Sequence, residues 1–131
     1  MSTNTVLHFE LPADDRARAT DFYTSAFGWT VEEVPVGDDV YLTVDAGGAA
    51  GQPETDAAGG INGAIIERDG PLTAPIITVE VDSIDAHLER IEAAGGTVLV
   101  PKGEVPDMGF YAYFEDTEGN VVGLWETLAG G

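Results

Sequence analysis

The sequence contains no cysteine, so neither a disulfide framework nor thiolate chemistry is available to it. Cations are nearly as scarce. Only five of 131 residues are Lys or Arg, and Lys102 is the single lysine. Against 24 acidic residues this leaves a net charge of −19. Phosphate backbones and anionic lipid surfaces would be repelled, so nucleic-acid and membrane partners are not expected. No run approaches the roughly 20 apolar residues of a membrane span. The N-terminus lacks the basic start and apolar run of a secretory signal, and a cytoplasmic location is expected. The acids are spread along the chain and not gathered into a tail. They could face a cationic partner, or they could adapt the chain to a high-salt cytoplasm, where repulsion is screened. The even spread and the single lysine favour the halophile-type reading. The fold is then expected to lose stability as salt is lowered. Equal melting temperatures in dilute and molar KCl would contradict that.

What is present begins with Val6 to Trp29. Leu7, Phe9 and Leu11 alternate with His8 and Glu10, the period-2 pattern of a strand with one face on a core. Pro12 is expected to end it, since proline cannot donate to a ladder. Asp14 is the expected N-cap of a helix, with Asp15 adding charge near its positive end. Ala19, Phe22, Tyr23, Ala26 and Phe27 form an apolar helical stripe, and the three aromatics are expected in the core. Gly28 suits the left-handed residue that stops the helix.

A paler copy follows at a constant offset of 68 residues: His8 to Ile76, Asp14 to Asp82, Gly28 to Gly96. In Ile76–Val81, Ile77, Val79 and Val81 alternate with Ile76, Thr78 and Glu80. Asp82 and Asp85 make a capping-box-like start, with Ser83 read as part of the cap. Ile84, Leu88 and Ile91 supply the stripe, and Gly95-Gly96 closes the helix. Further strands are read at Trp29–Val34, Val40–Val44, Gly63–Glu67, Val98–Val100, Phe110–Glu115 and Val121–Glu126. A hairpin turn is expected at Gly37-Asp38-Asp39 and a loop over Ala46–Gly60. That glycine-rich loop lacks the lysine and the strand–loop–helix layout of a phosphate-binding motif. The ends, residues 1–4 and Leu128–Gly131, are expected to trail. The result is one α+β domain over residues 1–131, built as two tandem β-α-β-β-β modules at 5–68 and 74–128.

Several markers then combine in order and spacing. They are His8 with Phe22-Tyr23, Phe27-Gly28-Trp29, Val81-Asp82-Ser83-Ile84-Asp85, Ala94-Gly95-Gly96 and Asp116-Thr117-Glu118-Gly119-Asn120. Together they resemble the vicinal-oxygen-chelate superfamily of glyoxalase I, bleomycin-resistance proteins and extradiol dioxygenases, over nearly the whole chain. The resemblance implies paired modules whose sheets curl around one cleft, often in a homodimer. It also implies metal ligands from the first and last strands of each module. His8 matches one such position. Ile76 and Gly123 stand at two others and offer no side-chain donor, and the run Gly63–Ile66 holds neither His nor acid. A divalent ion normally needs three or more protein donors. No cofactor is therefore expected, with a divalent metal held by His8, Glu10 and Glu67 as the alternative.

Strand parity places His8, Glu10, Ile76, Thr78, Glu80, Gly123 and Trp125 toward the cleft, and Glu126 on the opposite face. His8 and Glu10 could move a proton or grip a polar ligand, or His8 could be an inert remnant. Thr78, Glu80 and Trp125 are the candidate ligand-binding residues, with Trp125 able to stack on a planar ring. Glu80 is expected at the rim, in water. The facing of Tyr41, Tyr111 and Tyr113 stays open. Arg68 and Lys102 are given a surface role, and His87 a solvated one. The expected function is binding of a small organic molecule in the cleft. The alternative is a lyase, isomerase or dioxygenase using His8 and Glu10.

Overall fold

The computed structural model describes residues 4–36, 38–46 and 61–128, which form eight strands and two helices. Past Ala46 the expected loop lies outside the described residues, as do Gly37 of the expected turn, residues 1–3 and residues 129–131. The chain divides into two compact units. One is His8–Pro75; the other is residues 76–128 with residues 4–7. Each is a four-stranded mixed sheet with one helix on one face, so the α+β class holds.

In the first unit the elements are β1 (Val6–Ala13), α1 (Arg16–Phe27), β2 (Thr30–Val36), β3 (Asp39–Asp45) and β4 (Asn62–Glu67). Their order in the sheet is β2-β3-β4-β1, with β1 parallel to β4. Leu42, Val44 and Ile65 are buried on the helix side, where Phe9, Ala19, Tyr23 and Trp29 close over them. Strand β1 runs through Pro12 instead of ending there. The Ala13 carbonyl accepts from Arg68 N at 3.0 Å, so odd residues bond toward β4. Pro12 therefore has its missing donor on the side away from that ladder.

The cap of α1 is Asp15, whose carboxylate accepts from Arg18 N, and not Asp14. Asp14 instead pairs with Arg68 at 2.8 Å. Gly28 closes the helix at φ 74°, as its conformational freedom allows. Of the three aromatics expected in the core, only Tyr23 packs against it. Phe22 is 59% and Phe27 61% exposed. At 100° per residue these two stand about 140° apart, on the two edges of the stripe, and a helix lying on a sheet buries only the middle.

The second unit comprises β5 (Ile76–Glu80), α2 (Ile84–Ala93), β6 (Thr97–Val105), β7 (Gly109–Glu115) and β8 (Val121–Thr127), in the order β5-β8-β7-β6. Val81, Ile84, Ala112 and Leu124 form its buried core, with Leu88 and Ile91 from the helix. Ser83 caps α2 through Ala86 N, in place of Asp82. Asp15 and Ser83 are again 68 apart, so the repeat is kept at the caps. Strand β6 continues well past Val100, with register breaks between Val98 and Val100 and between Val100 and Gly103. Such irregularities let a strand carrying Pro101 keep its partner.

Candidate functional site

In the His8–Pro75 unit, the helix-free face of the sheet carries His8, Glu10, Tyr41 and Thr43. Leu42, Val44 and Ile65 take the other face, and registers Glu10↔Ala64 and Thr43↔Ala64 fix the alternation. Glu10 is only 5% exposed. The Tyr41 hydroxyl donates to Glu10 Oε2 at 3.3 Å, and His8 Nε2 lies 3.9 Å from the same oxygen. Burial, followed by the charge and hydrogen bond of Glu10, drives the Tyr41 hydroxyl far above its ordinary pKa of 10.0. It stays a donor throughout the neutral range. A carboxylate near His8 would favour imidazolium, yet at 3.9 Å its pull is outweighed. Burial lowers the His8 pKa below 6.5 and keeps the ring neutral. The expected pair is thus brought together. Tyr41, left open by the sequence, completes it.

The metal positions implied by the resemblance do not fit a divalent ion. Ile76 is a buried hydrocarbon and Gly123 has no side chain. Glu67 pairs with Ala13, at the end of β4 away from His8↔Asn62, and two residues on from Ile65 it shares the helix-side face. The set His8, Glu10, Glu67 is therefore not assembled. Among the described residues no three His, Cys, Asp or Glu side chains gather at all. One donor where three or more are needed supports no metal step.

In the 76–128 unit the helix-free face is built differently. Register Thr78↔Gly123↔Tyr113 forms one row and Glu80↔Trp125↔Tyr111 the next. Thr78 is 4% exposed, and its hydroxyl has no hydrogen-bond partner among the described residues. Three glycines lie under three half-buried rings. A Cβ on Gly103 would stand 2.6 Å from the Tyr111 ring, one on Gly109 2.7 Å from the Trp125 ring. One on Gly123 would stand 2.9 Å from Thr78 Oγ1 and 3.2 Å from the Tyr113 ring. The glycines let the rings lie down along the sheet. Tyr111 and Tyr113 tilt 54° to each other at 6.2 Å, a trough and not a plane. Trp125 Nε1 donates to Thr127 Oγ1, which donates to Glu80 Oε2, both at 3.2 Å. Glu80 is thereby held at the trough's edge, half-buried and not free in water as expected. Thr78, Glu80 and Trp125 share the face that parity gives them; Tyr111 and Tyr113 are the additions. Their alternation with Phe110, Ala112 and Phe114 carried the signal.

Other candidates are engaged elsewhere. Glu126 Oε1 accepts from Ile84 N at 2.9 Å, capping α2 on the helix side. Lys102 pairs with Asp85 and lies over the Phe110 ring. Arg68 holds Asp14 and the Pro12 carbonyl. His87 Nδ1 meets the Ser83 carbonyl within its own helix. A groove of about 490 Å³ between α1 and strands β2 and β3 has Arg16 at its edge, already bonded to the Val40 carbonyl. None of the five cations belongs to either helix-free face.

These features can be set beside known proteins. The sequence matches the profile of the Glyoxalase/Bleomycin resistance protein/Dioxygenase superfamily over residues 5–124. It is 31% identical over 122 residues to CFP32 of Mycobacterium tuberculosis, provisionally named a glyoxylase, covering 89% of this chain and 43% of that protein. It is 30% identical over 133 residues to the anthracycline biosynthesis protein DnrV of Streptomyces peucetius, covering 89% and 45%. The chain thus spans under half the length of these curated relatives. Among solved structures, the methylmalonyl-CoA epimerase of Streptomyces coelicolor, complexed with 2-nitronate-propionyl-CoA, superposes with a TM-score of 0.62 at 16% identity, over 98% of this chain and 100% of that one. Profile, relatives and fold agree: the chain belongs to the Glyoxalase/Bleomycin resistance protein/Dioxygenase superfamily.

Proposed function

We propose that this chain binds a small organic molecule, without a metal, on the helix-free face of the sheet in its 76–128 unit. The buried Thr78 hydroxyl carries the reading. A buried hydroxyl left unpaired costs about 1–3 kcal/mol, and a polar atom of a ligand seated between the rings would remove that cost. The aromatic walls supply the apolar surface such pockets use. DnrV, named for anthracycline biosynthesis, supports an organic ligand. A coenzyme A ester, as held by the epimerase, brings phosphates that this face has no cation to meet. A cytoplasmic homodimer is part of the proposal. Phe22 and Phe27, exposed on the two edges of the α1 stripe, give such a dimer apolar surface to cover.

The test is a thermal-shift screen of small aromatic and aliphatic compounds against the protein and Thr78→Val. The near-isosteric valine should fold at least as well, since it removes the unpaired hydroxyl, yet lose most of the ligand-induced shift. Equal shifts in both proteins would remove Thr78 from the site. A Co²⁺ titration in molar KCl tests the metal-free part. A one-to-one d–d spectrum lost in His8→Ala would overturn it.

A second reading rests on the Tyr41–Glu10–His8 cluster: a buried carboxylate with a fixed donor can act as an acid or base toward a ligand. Under it, Glu10→Gln would abolish turnover of a bound compound while leaving its affinity within about twofold.

A further inference from the structure

The helix side of the His8–Pro75 unit carries a second ligand site, and we infer that it takes an ω-amino acid, an ammonium and a carboxylate joined by a short hydrocarbon chain. The site is the groove of about 490 Å³ between α1 and strands β2 and β3. Its floor is apolar. Leu42 belongs to the buried core, Val40 is two residues away on the same face, and Val31 pairs with Val44 of that core. Glu33 pairs with Leu42, and cross-strand partners share a face. A carboxylate therefore stands on a surface that is otherwise hydrocarbon.

Charge of both signs lines this groove. Arg16, the first residue of α1, donates through Nη1 to the Val40 carbonyl at 2.9 Å. A guanidinium has five N–H donors, so this bond fixes the head and leaves a fork for a carboxylate. Asp21 and Glu33 line the same groove, and neither they nor Arg16 join an ion pair among the described residues. Both acids lie to one side of the guanidinium. The Arg16–Val40 bond sets the start of α1 beside the end of β2, because Val40 pairs with Pro35. Gly28 and Trp29 join the end of α1 to the start of β2, so helix and strand run in opposite directions. Asp21 is five residues along the helix from Arg16, about 7.5 Å. Glu33 is two residues along the strand from Pro35, about 7 Å. An extended six-carbon ω-amino acid holds its charges about 7–8 Å apart. Its carboxylate would meet Arg16, its ammonium the two acids, and its methylenes Val40 and Leu42. An α-amino acid is too short to reach both ends. A simple amine leaves Arg16 unused, and a simple fatty acid brings a carboxylate to two others.

Three six-carbon probes separate these parts: 6-aminohexanoate, hexylammonium and hexanoate. Amide shifts are followed by NMR titration in molar KCl, which suppresses loose binding to the acidic surface. The expected result is saturable shifts at residues 16–21, 31–33 and 40–42, with 6-aminohexanoate about tenfold tighter than either single-charge probe. Arg16→Gln, which keeps a donor for the Val40 carbonyl, should bring 6-aminohexanoate down to the affinity of hexylammonium. Glu33→Gln should weaken 6-aminohexanoate and hexylammonium alike and leave hexanoate no weaker. Equal affinity of 6-aminohexanoate and hexylammonium in the unaltered protein overturns the role of Arg16, and with it the ω-amino acid. 4-Aminobutyrate binding as tightly as 6-aminohexanoate overturns the spacing. Shifts confined to the 76–128 unit, or no saturable shift with any probe, overturn the site.

Discussion

In the His8–Pro75 unit, the helix-free face of the sheet is built from hydrogen-bonding groups. Tyr41 donates a hydrogen bond to Glu10, and His8 approaches the same oxygen. In the 76–128 unit the positions 68 residues on are Ile76 for His8 and Thr78 for Glu10. There Thr78 carries a hydroxyl with no partner among the described residues, rings lie over glycines around it, and the Trp125–Thr127–Glu80 chain runs along the edge. The two units share their order of elements but differ in the chemistry of this face. Of the positions the resemblance assigns to metal ligands, Ile76 and Gly123 in the 76–128 unit carry no side-chain donor.

The helix side of each unit should show no such contrast. Ile65 and Ile84 are both fully buried, one in each core. Truncating either to Ala should cost about 2–5 kcal/mol, through lost burial and a residual cavity. Denaturant unfolding of the two variants measures it. A loss in one core well below that range would show the cores to be unequal and break the symmetry at its base.

A smaller contrast is expected at two glycines. A methyl group on Gly63 would run into the Phe9 ring and stand 2.6 Å from the Phe9 carbonyl oxygen, which the β1–β4 ladder holds in place. Gly63→Ala should therefore cost about 1–3 kcal/mol. On Gly123 the nearest atom is the Thr78 hydroxyl at 2.9 Å, a side-chain tip that can turn away. Gly123→Ala should cost less than half as much, while weakening ligand binding more than Gly63→Ala does. The reverse ranking would mean that the trough is as rigid as the ladder.

The alternation of side chains was plain in the sequence. Val79, Val81 and Leu124 facing α2 with Thr78, Glu80 and Trp125 opposite needed only the period of a strand. So was the repeat, because the caps Asp15 and Ser83 stand 68 apart, although the left-handed glycines after the helices, Gly28 and Gly95, stand 67 apart. Cap identity was less legible, since Asp14 and Asp15 are chemically alike and the geometry of the entering chain decides between them. Phe22 and Phe27 misled because a helical stripe gives direction but not width, and width is set by the sheet beneath it. The Tyr41 bond to Glu10 joins residues 31 apart through the β3–β4–β1 registers. Local pattern allows that Tyr41 shares the face, since Leu42 and Val44 take the other. It does not fix which acid the hydroxyl reaches. The resting of rings on glycines likewise depends on cross-strand register, which no local period encodes.

The smallest expected effects are in pH dependence, and they should fall on one face only. Tyr41 has its pKa raised by burial and by Glu10, so the native state holds this proton more tightly than the unfolded chain. Stability from this source is complete below about pH 10 and is lost as pH rises beyond it toward the native pKa. His8 runs the other way. Burial lowers its pKa, so the unfolded chain takes up the proton first, and stability falls as pH drops through 6.5. Melting temperatures from pH 4 to 11 should then decline at both ends. Tyr41→Phe should flatten the alkaline arm, and His8→Ala should flatten the stretch just below pH 6.5. Glu10→Gln should flatten the alkaline arm only in part, because burial, the larger cause, still raises the tyrosine without the adjacent charge. Thr78→Val, which removes no titrating group, should leave both arms where they are. A change of slope in that variant would tie the trough to the proton-holding cluster and would end the division of labour between the two copies.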